Sequence, residues 1–370
     1  MAKSEAPVTV IALDTGNGGM KIYSDYVKRG YIEAVVGRYE APPSSSGRMA
    51  RRQEATTYQI EADPQKYVAG YEAINKYKVD PIPLHSRSSL VRYAQPMFTT
   101  YAKIGLAMAV EGAPNMTPVL LITSTPSFDY HNPEVRSKLN SILNDLHKVN
   151  VNDERKVINV VQYEPMSETE AVLYDLYFDE HGNVADETIL DEDILVINCG
   201  FGTSDISRFS AMDFIKLPKE TLLTSFRDVY KRCADWLSQT LQRQIDVQDV
   251  AGQLESQHKN KIKTYTNVDG AVQGFDDVYH HAVKAVFADL IAELNGIIDD
   301  PDRFKRIITV GGAVEEWGPL FKDWNARRVQ IPTDPQFSTA RGMYKFGRYY
   351  ELPKQAQAQA AKKATAAAKE

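Results

Sequence analysis

LDTGNGGMKIYS (residues 13–24) and INCGFGTSDISR (residues 197–208) align without a gap. Gly16 falls on Gly200, Gly18 on Gly202 and Ile22 on Ile206. Leu13 over Ile197 and Asp14 over Asn198 are close replacements, while Lys21 over Asp205 reverses a charge. Each stretch carries a β-branched run, VTVIALD at 8–14 and ILVINCG at 194–200, through a glycine-rich turn into a second extended run. That is the pattern of a strand, a tight turn and a strand. Its recurrence at the same place in each half predicts a duplicated α/β unit.

The flanking sequence repeats the plan. In the first half a helix with one apolar face is predicted from Arg92 to Val110, then a buried strand over VLLITST (119–125) ending at Pro126. A polar helix over 133–147, a buried strand over KVINVVQY (156–163) and a helix from Thr169 to Phe178 follow. The second half has helical stretches at 219–243 and 275–298, a buried strand RIITVGG (306–312) and a final amphipathic helix from Phe337 to Tyr350. PPSSSGRMARRQ (42–53) reads as a polar, basic surface loop, and Arg48, Arg51 and Arg52 as solvated charges within it. Phe226, Tyr230 and Trp236 recur at helical spacing and are read as packing residues. Beyond Pro353 the tail KQAQAQAAKKATAAAKE consists of helix formers without an apolar face, and no packed structure is expected of it. The expected organisation is one domain over 8–190 with 337–352, a second over 191–336, and a tail over 353–370.

A chain of 370 residues exceeds the size at which one core stops growing, which agrees with two domains. The formal net charge of −6 excludes a chain that binds nucleic acid by its overall charge. Cys199 and Cys233 lack metal-ligand spacing and fit a reducing, cytoplasmic setting. No stretch reaches the ~18 apolar residues of a membrane span, and no membrane partner is expected. None of the seven histidines shows metal-ligand spacing, and none is assigned a function.

Glycine-rich turns let backbone N–H groups close around phosphate oxygens. Two such hairpins facing each other can grip a polyphosphate from both sides. Carboxylates at the turns then hold Mg²⁺ through water, and Lys21 adds a point charge. The candidate metal residues are Asp14, Asn198 and Asp205. No GxxxxGK[ST] stretch is present, so the design is not a Walker-type loop.

In these residues the chain resembles the actin superfamily. DTGNGGMK is similar to its first phosphate loop and NCGFGTSD to its second. ITVGGAVEEW (308–317) is similar to its adenosine motif, QYEPMSETEA (162–171) to the connecting segment with a catalytic acid or amide, and FSTARGMYKFG (337–347) to the start of its C-terminal helix. The five occur in order over residues 8–350. The opening VIALDTGNGGMKIY, YVAGYEA (67–73) and LLITSTPSFDY (120–130) resemble the ParM-type plasmid-segregation actins and archaeal actin-like proteins. Two positions depart from the pattern: Asn198 stands where that family usually has Asp, and Ser338 where Asn is frequent.

The resemblance implies an actin-like, ribonuclease H-like fold, duplicated, with a nucleotide cleft between its domains. It implies ATP and Mg²⁺ as cofactors. Gly16, Asn17, Gly18, Gly19 and Lys21 would bind phosphate from one side, Gly200, Phe201, Gly202 and Thr203 from the other, and Gly311, Gly312 and Ala313 the nucleoside. Asp14 and Glu164 would be the catalytic pair, Glu164 positioning the attacking water. Glu168 and Glu170 lie near but enter a helix start, where they serve the helix dipole. The function implied is a cytoplasmic ATPase that polymerises head to tail and segregates plasmid DNA through a ParR-like DNA-binding adaptor, without touching DNA itself. A cytoskeletal actin-like protein without a plasmid role and a small-molecule kinase of the same superfamily are the alternatives.

Overall fold

The structure is a computed structural model that describes residues 7–40, 56–61, 63–77, 79–84, 86, 88–255 and 262–358. The basic loop with Arg48, Arg51 and Arg52, along with His85, His258 and the tail from residue 359, lies outside the described residues. Two compact units are present. One holds residues 1–84, 88–192 and 337–370, the other 85–87 and 193–336.

The first unit opens with β1 (Thr9–Thr15) and β2 (Gly19–Ser24). β3 (Gly30–Glu33), β4 (Val35–Tyr39), β5 (Tyr58–Ile60) and β6 (Lys66–Ala69) follow. α1 (Tyr71–Tyr77), β7 (Pro81–Pro83), α2 (Ser89–Ala94) and α3 (Pro96–Ala109) lead to the central β8 (Pro118–Thr125). Next come α4 (Ser127–Tyr130), α5 (Pro133–Leu143), β9 (Leu146–Val151), β10 (Glu154–Ser167) and α6 (Glu168–Tyr177). The ten strands form one sheet in the order β3-β2-β1-β8-β10-β9-β5-β6-β4-β7. β1, β8 and β10 run parallel at its centre.

β1 and β8 are almost continuously apolar because both faces of the sheet are covered. Ile11 and Leu13 pack with Phe98, Tyr101 and Ile104 of α3. The alternate residues Val10 and Ala12 point the other way and pack with Ala171 of α6. This is the two-residue period of a strand.

The second unit repeats the scheme. β11 (Asp193–Cys199), β12 (Ser204–Ser210), β13 (Asp213–Ile215) and β14 (Thr221–Leu222) precede α7 (Phe226–Thr240) and α8 (Val247–Glu255). The small hairpin β15 (Thr264–Thr266) and β16 (Val272–Gly274) leads to α9 (Asp276–Asn295). β17 (Arg306–Val310), α10 (Val314–Trp324) and β18 (Val329–Gln330) complete the unit. Its main sheet runs β13-β12-β11-β17-β18, with β14 on β12. Leu195 and Ile197 share a core with α7, α9 and α10, in which Phe226 meets Trp317 edge-on at 5.3 Å. Phe226 and Tyr230 are buried there, and Trp236 packs partly buried against the same core, so this stripe is internal packing.

The chain then returns to the first unit. α11 (Ser338–Lys345) crosses α6 so closely that a Cβ on Gly342 would stand 1.8 Å from the Ala171 carbonyl oxygen. Beside this crossing the buried Asp175 carboxylate accepts from Ser338 Oγ and Arg341 Nε, both at 2.6 Å, and from Lys345 Nζ at 3.0 Å. Ser338 thus anchors the returning helix.

Several boundaries differ from the sequence expectation. The helix expected over 133–147 stops at Leu143, and Leu146–Val151 forms β9 against β10 and β5. The strand expected over 156–163 runs from Glu154 to Ser167, because its second half pairs in parallel with β8. Residues 219–225 are not helical; α7 begins only at Phe226, where the Ser225 N–H donates to the Asp228 carboxylate at 3.0 Å. Past α11 the helix widens into a π turn at Phe346–Glu351 and continues at 352–358, so the structured end passes Pro353.

Candidate functional site

The two hairpins have the same register. In β1–β2, Leu13 faces Ile22 and Asp14 faces Lys21. In β11–β12, Ile197 faces Ile206 and Asn198 faces Asp205. The parallel neighbours agree as well: Leu13 lies beside Thr123 of β8, and Ile197 beside Thr309 of β17. The alignment of 13–24 on 197–208 is therefore a structural equivalence.

At the first turn, Asp14 is buried and held on both oxygens. Lys21 Nζ lies 3.1 Å from Oδ2, and Ser124 Oγ, from the end of β8, donates to Oδ1 at 2.8 Å. The turn's carbonyls are drawn back into the protein. Gly16 O accepts from Arg92 Nη2 at 2.8 Å, and Gly18 O from the Ala34 N–H at 3.1 Å. Tyr101 Oη receives the Met20 N–H at 2.8 Å and donates to Ile32 O at 2.7 Å. A trans peptide points its C=O and the following N–H in opposite directions. Pulling the carbonyls of Gly16 and Gly18 inward aims the N–H groups of Asn17 and Gly19 the other way.

The second turn obeys the same rule with different donors. It is closed by the Gly200 N–H on Thr203 O at 3.0 Å. The carbonyls of Cys199, Gly200 and Phe201 accept from Ala313, Phe226 and Arg227 N–H at 3.2, 3.3 and 2.9 Å. Two helix starts, those of α7 and α10, thus meet one turn, and such N-termini favour an anion nearby. The buried Asp205 has both oxygens taken, Oδ1 by Thr221 Oγ1 at 2.6 Å and Oδ2 by Thr203 Oγ1 at 3.2 Å.

Gly311 and Gly312 differ sharply. Gly311 has φ +98°, and a Cβ there would stand 2.4 Å from Cys199 O and 2.6 Å from Asn198 Oδ1. Nothing lies nearer than 3.6 Å to a Cβ on Gly312. The structure therefore brings Gly311, Gly312 and Ala313 to the turn containing Gly200, Phe201, Gly202 and Thr203, through the Cys199 carbonyl.

Glu164 is placed elsewhere on its own unit. It lies inside β10 opposite Ile122, on the face that Met166 shares with the packing of α6 and α11. Burial pushes its carboxyl above the usual range, Glu351 adds to the rise, and Lys354 partly offsets it. Glu170 is raised by burial and then by Glu164. Glu168 is the first residue of α6, just past the strand end, and its backbone carbonyl accepts from Thr339 Oγ1 at 3.3 Å. The Tyr93 hydroxyl is raised mainly by burial, with Arg92 opposing and Glu168 reinforcing the shift. Glu168 and Arg92 thus both act on the Tyr93 hydroxyl, and Arg92 is the residue bonded to the first turn.

Arg92 was not read as functional in the sequence. Its only local signal is a cation at the start of a predicted apolar helix. Arg227, at the start of α7, bonds the second turn through its backbone N–H, and its buried Nε has no hydrogen-bond partner among the described residues. Among the described residues no group of three or more His, Cys, Asp or Glu could hold a metal ion. Asp14 and Asp205 are alike in having both carboxylate oxygens engaged by neighbouring side chains, Asp14 by Lys21 and Ser124 and Asp205 by Thr203 and Thr221.

Residues 12–168 match the family model of the actin-like proteins N-terminal domain. No curated protein matches the sequence. Among solved structures, apo psk41 ParM is 19% identical, with TM-score 0.69, over 94% of this chain and 98% of its own. A 15-stranded ParM filament from Clostridium botulinum is 16% identical, with TM-score 0.68, over 93% and 99%. Ta0583, an archaeal actin homolog in complex with ADP, is 15% identical, with TM-score 0.67, over 92% and 99%. The matched N-terminal domain, the duplicated hairpins and these likenesses agree: the chain has the actin-like fold, and the proteins it resembles are ParM and archaeal actin homologues.

Proposed function

We propose that the chain binds and hydrolyses ATP with Mg²⁺ and polymerises head to tail into dynamic filaments. The observation that carries this is the matched pair of turns, each with its carbonyls bonded back into its own unit. Gly16 to Gly19 with Lys21 would hold phosphate on one side and Gly200 to Thr203 on the other, with Gly311, Gly312 and Ala313 against the nucleoside. Asp14 would orient Mg²⁺-bound water, and Asn198, being neutral, would add a hydrogen-bond acceptor without charge. The named ADP complex of an archaeal actin homolog and the ParM filament support nucleotide binding and self-association. Melting-temperature measurements with Mg·ATP, Mg·ADP and no nucleotide test the first claim, since a ligand that binds only the folded state raises stability. Light scattering and electron microscopy under the same conditions test the second. A protein that responds to no nucleotide loses the whole reading.

The water-positioning role falls to one of two acids. Glu164 is the acid that the family resemblance implies, and Glu168, the first residue after the end of β10, is the second candidate. Plasmid segregation through a ParR-like DNA-binding adaptor is the cellular role proposed, with no direct contact to DNA and a cytoplasmic setting. It is supported by the likeness to ParM and by the net charge of −6. Among the described residues no helix is long and apolar enough to cross a membrane.

A further inference from the structure

Arg92 is a buried cation without a counter-ion among the described residues. Its side chain is 4% exposed, and the hydrogen bonds that it makes end on two neutral backbone carbonyls, Leu84 O to Nε at 3.0 Å and Gly16 O to Nη2 at 2.8 Å. No carboxylate among the described residues forms an ion pair with it. Two aromatic rings flank it, Phe98 at 5.4 Å and Tyr93 at 5.9 Å from ring centroid to guanidinium, and Glu168 acts on the same Tyr93 hydroxyl without an ion pair to Arg92. In the same unit the buried Lys345 and its neighbour Arg341 share Asp175, whereas Lys263 of the other unit is buried over the Tyr279 ring. Burying a charge is costly unless it is paired, and carbonyl dipoles do not neutralise it. Lys21, the other cation at this turn, is paired with Asp14 at 3.1 Å, so its charge is partly offset before any anion arrives.

We propose that Arg92 is a positioning residue for a bound polyphosphate: it holds the first turn open by drawing Gly16 O back, and its unpaired charge is completed by the anion in front of that turn. The guanidinium suits both tasks. Its planar fork reaches two carbonyls at once. The anion need not touch it, because a positive charge in a poorly solvated site acts through several ångströms. This rests on the nucleotide reading, and it adds that affinity at the phosphate end depends on a residue outside the glycine turns.

The test compares wild type, Arg92→Met and Arg92→Lys by calorimetric titration with ADP and with adenosine. Arg92→Met keeps the apolar stem and removes the charge. Its ADP affinity is expected to fall tenfold or more while adenosine affinity stays within twofold. Arg92→Lys, which keeps the charge, is expected to recover most of the ADP affinity. Equal losses for ADP and adenosine in Arg92→Met, or no loss for either, would show a merely structural arginine and overturn the proposal. Should Arg92→Met not fold, inorganic pyrophosphate and Arg92→Lys decide it. Pyrophosphate alone should raise the melting temperature of the lysine variant nearly as much as that of wild type, and a folded but unresponsive variant overturns the proposal. Wild type binding neither ADP nor pyrophosphate would instead remove the nucleotide reading on which it stands.

Discussion

Asp14 and Asn198 occupy equivalent positions in the two hairpins, and each faces a charged residue across its ladder, Lys21 for Asp14 and Asp205 for Asn198. The pairing explains the departure from the family's usual Asp. An acid at 198 would sit opposite a buried Asp205 whose oxygens are already bound by Thr203 and Thr221. Asn198→Asp is therefore expected to lower stability by at least about 1 kcal/mol, since like charges directly opposite each other destabilise a sheet. Chemical denaturation checks this. If the added acid also improves Mg²⁺ binding, the Mg²⁺ concentration needed for hydrolysis falls in the same variant, and an unchanged titration would show that the departure is silent.

Gly311 and Gly312 provide a paired control. Alanine at 311 meets a left-handed φ and two oxygens closer than any real Cβ contact, so a loss of roughly 2–4 kcal/mol is expected. Alanine at 312 has room in the free protein and should leave stability unchanged. If the nucleoside lies against this turn, Gly312→Ala weakens ADP binding even so. Equal stability of the two variants would mean that the turn is built differently.

Asp175 ties α6 to the returning helix. Asp175→Ala would leave Arg341 and Lys345 without their shared buried acid, at a cost of about 3–5 kcal/mol. Ser338→Ala removes one hydrogen bond to the same carboxylate and should cost about 1–2 kcal/mol. A denaturation series in which the serine change costs as much as the aspartate change would refute the charge-based ranking.

The hairpins were legible because their signals are local: β-branched runs, glycines at fixed spacing, and the same order twice. The ends of elements were not. Pro165 reads as a break after Glu164, yet β10 continues through it, because Pro165 lies beside Thr123 and the parallel pairing extends to Ser167 opposite Thr125. That extension moves the strand end from residue 163 to 167, so that Glu168 and not Glu164 follows the strand end. Leu146–Val151 reads as the tail of a helix until β10 and β5 offer it partners. Arg92 could not be read at all, since its acceptors Leu84 and Gly16 come together with it only through the tertiary fold.

Glu164 and Glu168 are separated by a combined pH and turnover measurement. Both Glu164 and Glu170 have carboxyls raised by burial, and each lies in the other's field or that of Glu351. An acid whose folded pKa is raised contributes stability below its unfolded value, about 4.3, and loses that contribution as pH rises through the folded value. Wild type should therefore gain stability from these two groups as pH falls from neutral toward their unfolded value, and Glu164→Gln with Glu170→Gln should flatten that gain while stabilising the protein at pH 7. Hydrolysis is expected to survive Glu164→Gln. Glu168→Gln should bind ATP normally but slow phosphate release by ~10²–10⁴, the worth of a positioned base. If ATP assembles filaments and hydrolysis weakens them, the Glu168 variant should polymerise and then fail to disassemble. Loss of turnover in Glu164→Gln with normal turnover in Glu168→Gln would return the role to Glu164, whatever its burial.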